Sequence, residues 1–186
     1  DYDAEYRYDS NPVGSIQPLD PERVVSGSSI SKTLAPGLRL GWMVLPPALI
    51  ESAVELKAAF DLGTQVLSQA TFSELLRSGG FDRHLRHSRA RYRRQRAWLA
   101  SRLKTEAPEL DVSGLDAGLS LCIRADLPDD QAVAQRLRAQ GVACEALSYY
   151  QQLPRPQRGL VLDINATRER ELEQVLAAID GARATR

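Results

Sequence analysis

The sequence has no excess of charge of either sign, since 24 lysine and arginine side chains balance 24 aspartate and glutamate side chains. This balance argues against a strongly basic nucleic-acid-binding module and against an acidic disordered tail. Hydrophobic residues make up 43% and charged residues 26% of the chain, close to the average of soluble globular domains. A length of 186 residues predicts one domain or a domain and a half.

Long apolar runs and cysteines are also scarce. No run approaches the roughly 20 apolar residues of a membrane-spanning helix, and the opening segment DYDAEYRYD lacks the pattern of a signal peptide. Two cysteines, Cys122 and Cys144, form neither a disulfide framework nor a zinc site, which predicts reduced core thiols in a cytoplasmic protein. The sequence starts within a pattern and without methionine, so we expect it to be part of a longer chain.

Hydrophobic periodicity and turn residues predict strands and helices that alternate along the chain. The first strand reads as buried, and Pro47 suits the first position of a helix. A long amphipathic helix is predicted from Phe81 to about Glu106, and Asp129 or Asp130 is expected to cap a later one. The predicted strands are at 24–28, which is the first strand, and at 38–45, 110–112, 118–123, 142–146 and 159–164. The other predicted helices are at 47–60, 64–78, 129–140 and 167–182.

One loop after the first strand concentrates side chains suited to carbonyl and phosphate chemistry. A lysine in a partly desolvated site, as Lys32 would be, can act as a nucleophile toward a carbonyl carbon. Ser29 and Arg39 offer a hydroxyl and a guanidinium group to a phosphate dianion. Gly37 and Gly41 allow close backbone approach or a positive φ. Taken alone, a Ser-x-x-Lys spacing is weak, and an ordinary surface turn is the alternative interpretation.

The full string SSISKTLAPGLRLGWMVLP at residues 28–46 is far more specific. It resembles the pyridoxal-phosphate attachment site of class I/II (fold-type I) aminotransferases. This version resembles the MocR subfamily, in which an aminotransferase-like domain follows a GntR-type winged helix-turn-helix. Residues 1–8, 81–92 and 116–119 match further stretches of that subfamily.

The resemblance implies an α/β fold in two parts. Residues 1–79 would be the C-terminal part of the large, pyridoxal-phosphate-binding domain, and residues 80–186 the small C-terminal α+β domain. By resemblance, Lys32 forms the internal aldimine with pyridoxal 5′-phosphate and moves a proton between the substrate Cα and C4′ of the cofactor. Ser29 and Arg39 hold the phosphate, and Tyr2 donates to the phenolic oxygen of the pyridine ring.

The sequence departs from the family pattern at several positions. The acidic partner of the pyridine nitrogen would precede residue 1, and so would the phosphate turn and the aromatic residue that stacks on the ring. The arginine for a substrate α-carboxylate is expected in the strand at 159–165, where Val161 takes its place. Arg158 is the nearest arginine and is our candidate for that carboxylate. Ser120 stands where the subfamily usually has histidine.

Three other features have both a functional and a structural interpretation. The seven arginines in 83–96 would suit nucleic-acid binding, but we favour the solvated face of an amphipathic helix. His84 and His87 would suit a metal ion, yet no third ligand is nearby, so a surface or interface role is favoured and no metal is expected. Tyr149 and Tyr150 are expected in a loop, and such loops sometimes reach a substrate.

We therefore interpret the chain as the effector-sensing, pyridoxal-phosphate-binding domain of a MocR-type transcriptional regulator. The alternative is a fragment of an aminotransferase that moves amino groups between an amino acid and a 2-oxo acid, and a third hypothesis is a small-domain module without a cofactor. The implied partners are an amino acid or amine, a second copy of the full-length protein, and DNA only through a domain outside this chain. We expect no membrane association, and little or no cofactor binding or catalytic activity by these 186 residues alone.

Overall fold

The computed structural model describes residues 5–8, 14–114, 117–152 and 157–184. The chain divides into two compact units, residues 1–88 and residues 89–186. Among the described residues, no helix is long and apolar enough to cross a membrane. The domain limits that the sequence suggests, 1–79 and 80–186, remain a prediction.

The first unit is built on a two-stranded antiparallel sheet followed by helices. Strand β1 (Ser26–Ser29) pairs with β2 (Gly41–Val44), so that Ser29 lies opposite Gly41. Helices α1 (Pro47–Asp61) and α2 (Val66–Arg77) follow, and α3 (Gly80–Glu106) begins in this unit. Pro47 is the first residue of α1, as predicted, because proline has no N–H to leave unsatisfied there.

The first strand is not buried, contrary to the prediction from its β-branched residues. The regular pairing begins at Ser26 rather than Val24, and Val25 is half exposed. A β-branched run favours an extended backbone, but burial needs a covering layer as well. Within the described part of the first unit, β1 pairs with β2 only, so each of the two strands has one open edge.

A small group of aromatic rings joins the hairpin to the helices of the first unit. Trp42 of β2 stacks on Phe72 of α2 with ring centroids 6.3 Å apart. Phe72 also meets Phe81, at the start of α3, edge to face at 5.2 Å. Such pairs are favourable beyond their buried area, and they fix the position of β2 against α2.

The second unit contains four strands and two further helices, namely β3 (Asp111–Ser113), β4 (Ser120–Arg124), α4 (Asp130–Ala139), β5 (Cys144–Ala146), β6 (Gly159–Asp163) and α5 (Glu169–Ala184). The strands form an antiparallel sheet in the order β3-β4-β6-β5. Two helices accompany it, α4 and α5, and Asp129 caps α4 by accepting a hydrogen bond from the amide of Ala132 at 3.0 Å. The helix cap is one of the two aspartates that the sequence suggests.

A continuous hydrophobic core fills the second unit. Alternate residues of β4 and β6 point into it, as the strand period requires, and the helices contribute residues at helical spacing. Both cysteines are free, and Cys144 belongs to the core whereas Cys122 is only half buried. Fully buried members include Leu99, Leu103, Leu121, Ile123, Leu137, Leu160, Leu162, Leu172 and Val175.

Candidate cofactor site

The candidate site lies in the loop that connects the two strands of the hairpin. Ser29 ends β1 and Gly41 begins β2 directly opposite, and the next amide, that of Ile30, donates to the carbonyl of Leu40 at 3.1 Å. A Cβ atom on Gly41 would lie 2.8 Å from the carbonyl oxygen of Ser28. Glycine is therefore required at this position for the strands to approach, which is a steric reason for the Gly41 of the motif.

Lys32 lies in a tight turn at the base of this loop. The buried Ile30 closes the turn, because its carbonyl accepts from the amides of Leu34 at 2.9 Å and Ala35 at 3.2 Å. The Lys32 side chain is exposed, although the next residue, Thr33, is buried. The lysine amine thus stands on a backbone that is fixed on both sides of it.

The carbonyl oxygen of Thr33 accepts hydrogen bonds from two distant side chains. His84 Nε2 lies 2.7 Å from this oxygen, and the hydroxyl of the buried Tyr6 donates to it at 3.4 Å. His84 is therefore half buried and directed inward rather than a surface residue, whereas His87 is exposed. No group of His, Cys, Asp and Glu that could hold a metal ion occurs among the described residues.

Arg39 has an unusual backbone conformation at the other end of the loop. Its φ of 48° and ψ of 40° place it in the left-handed region, which costs a residue with a Cβ on the order of 1 kcal/mol. It follows the 3₁₀ turn Pro36–Leu38, and its amide donates to the carbonyl of Pro36 at 3.3 Å. The strain ends the turn and leaves the Arg39 side chain exposed two residues before β2.

The structure thus brings three of the predicted site residues to one end of one hairpin. Ser29, Lys32 and Arg39 all lie within the loop or at its base. Tyr2 lies outside the described residues. Arg158 belongs to the second unit, where its guanidinium donates to the carbonyls of Leu127 at 2.9 Å and Pro128.

The arginines of 83–96 and the tyrosine pair Tyr149 and Tyr150 are exposed, with one exception. In the arginine-rich part of α3, Arg96 is 3% exposed and donates from Nη1 to the carbonyl of Gly118 at 2.9 Å. It is therefore a structural residue of the second unit, and the prediction of a solvated face is wrong for it. Tyr149 and Tyr150 are exposed and stack edge to face, with ring centroids 5.5 Å apart.

The family model described as "Aminotransferase class I and II" matches residues 9–179. The chain belongs to this family, whose cofactor is pyridoxal 5′-phosphate.

Among curated proteins, similar relatives bear the names of regulators. The chain is 28% identical over 185 residues to the uncharacterized HTH-type transcriptional regulator YdeL of Bacillus subtilis, covering 98% of this chain and 40% of that protein. It is 33% identical over 165 residues to the probable rhizopine catabolism regulatory protein MocR of Rhizobium meliloti, covering 87% of this chain and 34% of that protein. The chain thus spans less than half the length of these relatives.

Solved aminotransferases share the fold. The α-aminoadipate aminotransferase LysN of Thermus thermophilus, solved with N-(5′-phosphopyridoxyl)-L-leucine, superposes with a TM-score of 0.82 at 24% identity. The match covers all of this chain and 50% of that one. The α/β fold-type I architecture expected from the sequence is confirmed.

The residues of the hairpin loop fit the family's cofactor chemically. Lys32 offers a primary amine on a fixed turn, and this amine is exposed rather than partly desolvated as we expected. A primary amine is the group that bonds to an aldehyde carbon. A half-buried hydroxyl, Ser29, and an exposed guanidinium, Arg39, stand at the same end of the hairpin, and both are donors suited to a phosphate dianion. A sequence motif and a local structure therefore agree on the same loop.

Proposed function

We propose that this chain is the pyridoxal-phosphate-binding, effector-sensing domain of a MocR-type transcriptional regulator. Family membership supports the cofactor, and the names of the relatives support the regulatory role. The observation on which the proposal depends is the Lys32 turn, which hydrogen bonds to the carbonyls of Ile30 and Thr33 hold in place and which lies between Ser29 and Arg39 in the sequence. When bound, the cofactor supplies an electron sink for an amine substrate.

In this proposal each residue of the loop has a defined task. Lys32 would hold the cofactor through Nζ, whose condensation with the aldehyde carbon releases water, and after an amine displaces it the freed Nζ would accept or donate a proton. Ser29 and Arg39 bind and orient the phosphate, and Tyr2 is assigned to the phenolic oxygen. Arg158 stays a candidate for the effector carboxylate, and it would have to give up its bonds to the carbonyls of Leu127 and Pro128 to serve it.

The experiment that tests the proposal is covalent trapping of pyridoxal phosphate in the full-length protein. We expect a visible absorbance band on addition of the cofactor, and borohydride reduction followed by mass spectrometry should place the label on Lys32. Lys32→Ala should abolish both signals, while the matched control Lys104→Ala, which removes an exposed lysine of α3, should keep both. An unchanged band in Lys32→Ala would refute the assignment.

A phosphate role for Arg39 predicts a different kind of defect. Arg39→Ala should weaken the affinity for pyridoxal phosphate by about tenfold or more, because a charge-assisted hydrogen bond is lost. The covalent label on Lys32 should still form at high cofactor concentration. The control Arg77→Ala removes an exposed arginine of α2 that pairs with Glu74 and should leave the affinity unchanged.

Membership in an aminotransferase family also favours a second candidate, an enzyme that moves amino groups between an amino acid and a 2-oxo acid. Val161, at the place of the expected carboxylate-binding arginine, is half buried in β6 between Cys122 and Glu145 of the neighbouring strands. We therefore favour the sensor. Catalytic conversion of a labelled 2-oxo acid into its amino acid by the full-length protein would instead establish the enzyme.

We further propose that the full-length protein is a cytoplasmic homodimer that contacts DNA through residues outside this chain. Large apolar side chains of α1 and α2 are exposed, and exposed apolar patches commonly mark an association surface. Light scattering of the full-length protein tests the dimer, and a mass corresponding to one chain would contradict it.

A further inference from the structure

Beyond the lysine itself, the turn that presents it includes a buried carbonyl that binds two side chains from distant parts of the sequence. The carbonyl oxygen of Thr33 directly follows Lys32 in the chain and is contacted by His84 Nε2 at 2.7 Å and by the hydroxyl of Tyr6 at 3.4 Å. These donors are 51 and 27 residues away in sequence. An interaction over such separations ties the turn to parts of the first unit that are remote in sequence.

The two contacts differ in strength. A separation of 2.7 Å is at the short end of the range for an N–H···O hydrogen bond, whereas 3.4 Å exceeds the usual range for a hydroxyl donor. His84 is thus the principal anchor and Tyr6 the weaker one. Because a carbonyl can only accept, Nε2 of His84 must bear the proton, and the hydroxyl oxygen of Ser88, 3.4 Å from Nε2, is a second group at the same nitrogen.

Two backbone carbonyls hold the turn around Lys32. The carbonyl of Ile30 accepts from the amides of Leu34 and Ala35, and the carbonyl of Thr33 accepts from His84 Nε2. A turn held on both sides has less conformational entropy to lose when its lysine bonds to a ligand.

We propose that His84 is a positioning residue that preorganises the Lys32 turn for cofactor binding, with Tyr6 in an auxiliary role. The inference rests on the proposed function, because it assumes that Lys32 bonds to the cofactor. His84 does not contact the reacting atoms in this scheme. It acts through the Thr33 carbonyl, and its effect is on the affinity for the cofactor.

Four variants of the full-length protein test this inference. His84→Leu removes the donor. His84→Gln keeps an amide N–H at about the reach of Nε2, whereas His84→Asn keeps the amide but is too short to reach the carbonyl. His87→Leu makes the same change as the first variant at the exposed histidine one turn further along α3 and serves as the matched control.

The first measurement is the dissociation constant for pyridoxal phosphate, read from the visible band. We expect His84→Leu and His84→Asn to weaken binding by about tenfold, because the stronger of the two hydrogen bonds to the buried Thr33 carbonyl is lost. His84→Gln should stay within about threefold of the wild type, and His87→Leu should not differ from it. Rescue by glutamine but not by asparagine distinguishes positioning from a general effect of polarity or packing.

The second measurement needs no cofactor. Hydrogen exchange of the Leu34 and Ala35 amides, which close the turn on Ile30, should accelerate by about tenfold in the leucine and asparagine variants. Exchange within the second unit should not change. A variant that unfolds as a whole would instead accelerate exchange everywhere, and the glutamine variant then decides the question.

The two proposals fail in distinguishable ways. Wild-type affinity and wild-type exchange in both His84→Leu and His84→Asn would overturn the role of His84, whatever Lys32→Ala does. Retention of the absorbance band in Lys32→Ala would refute the proposed function, while faster exchange in the His84 variants would still show that His84 holds the turn. Equal loss of affinity in the glutamine and asparagine variants would also overturn the positioning role.

Discussion

The two units of the chain differ sharply in how they are stabilised. In the second unit the buried apolar residues form one cluster that extends from Leu99 to Ala182. In the described part of the first unit the buried apolar residues are few, chiefly Tyr6, Tyr8, Ile30 and Leu40. Most of the exposed large apolar side chains of the described chain, by contrast, belong to the first unit.

This difference shows where the chain has its own core and where it does not. The second unit removes its apolar surface from water by itself, which is the dominant favourable contribution to folding. The candidate cofactor loop lies in the other unit and is held by hydrogen bonds to two backbone carbonyls, those of Ile30 and Thr33. Binding loops often lie in regions of low local stability. In this chain the local stability of the loop depends on those hydrogen bonds rather than on a hydrophobic core.

The largest effect should come from the same substitution made in the two units. Leu121→Ala, at a fully buried position of β4, should lower the free energy of unfolding of the chain by about 4 kcal/mol, the usual cost of a cavity in a closed core. Leu67→Ala, in α2 where the side chain is 71% exposed, should change it by less than about 0.5 kcal/mol. Urea denaturation followed by circular dichroism measures both values, and similar losses in the two variants would contradict the comparison.

The next effect should have opposite signs at two glycines of the second unit. A Cβ on Gly159 would lie 2.1 Å from the carbonyl oxygen of Ile123, so Gly159→Ala must move strand β6 and should cost about 3 kcal/mol. Gly181 lies inside α5, and a Cβ at this position would have no neighbouring atom within 4 Å. Gly181→Ala should therefore stabilise the chain by about 0.5–1 kcal/mol, because alanine favours the helix. Equal shifts in the urea midpoint for Gly159→Ala and Gly181→Ala would show that the close approach of β6 to β4 does not require glycine at position 159.

Regular elements are largely predictable because their signals are local. The period of the apolar residues gives α3 nearly to its ends, and Pro47 marks the start of α1. The motif around Lys32 also places the loop between two strands, since the turn residues and the strand patterns lie within one short stretch. Local propensity and tertiary structure agree at these places, as is usual where a segment is consistent with the fold.

Long-range polar contacts are not predictable in the same way. The sequence predicts a surface or interface role for His84, because no local pattern shows that a carbonyl 51 residues earlier accepts its N–H. The burial of Arg96 escapes prediction for the same reason, since its acceptor is the carbonyl of Gly118. Both residues lie in an arginine-rich amphipathic helix, and this pattern suggests that they are exposed. Only the tertiary structure shows which positions of the helix are buried.

A smaller effect should separate two adjacent aspartates at the start of α4. Asp130 is 2% exposed and accepts hydrogen bonds from the amide and hydroxyl of Ser148 and from the amide of Gly159. Asp130→Asn turns part of this acceptor into a donor and should cost about 2 kcal/mol. Asp129→Asn should be nearly neutral, because asparagine caps helices about as well as aspartate. The second unit thus also contains a buried polar group that holds neighbouring segments together. Equal urea midpoints for the two variants would show that the stability of the second unit does not depend on Asp130.

The mildest perturbation is chemical labelling of the two thiols under native conditions, which tests directly how closed the second unit is. Burial raises the pKa of the Cys144 thiol, and the thiolate is the reactive form. Iodoacetamide at about pH 8 should therefore modify the half-exposed Cys122 first and Cys144 only after the core opens. Mass spectrometry of the separated peptides measures the two rates, with Cys122→Ser as the control that isolates Cys144. Equal rates would mean that the Cys144 thiol is as accessible as the half-exposed Cys122 thiol, so that the core of the second unit is not closed.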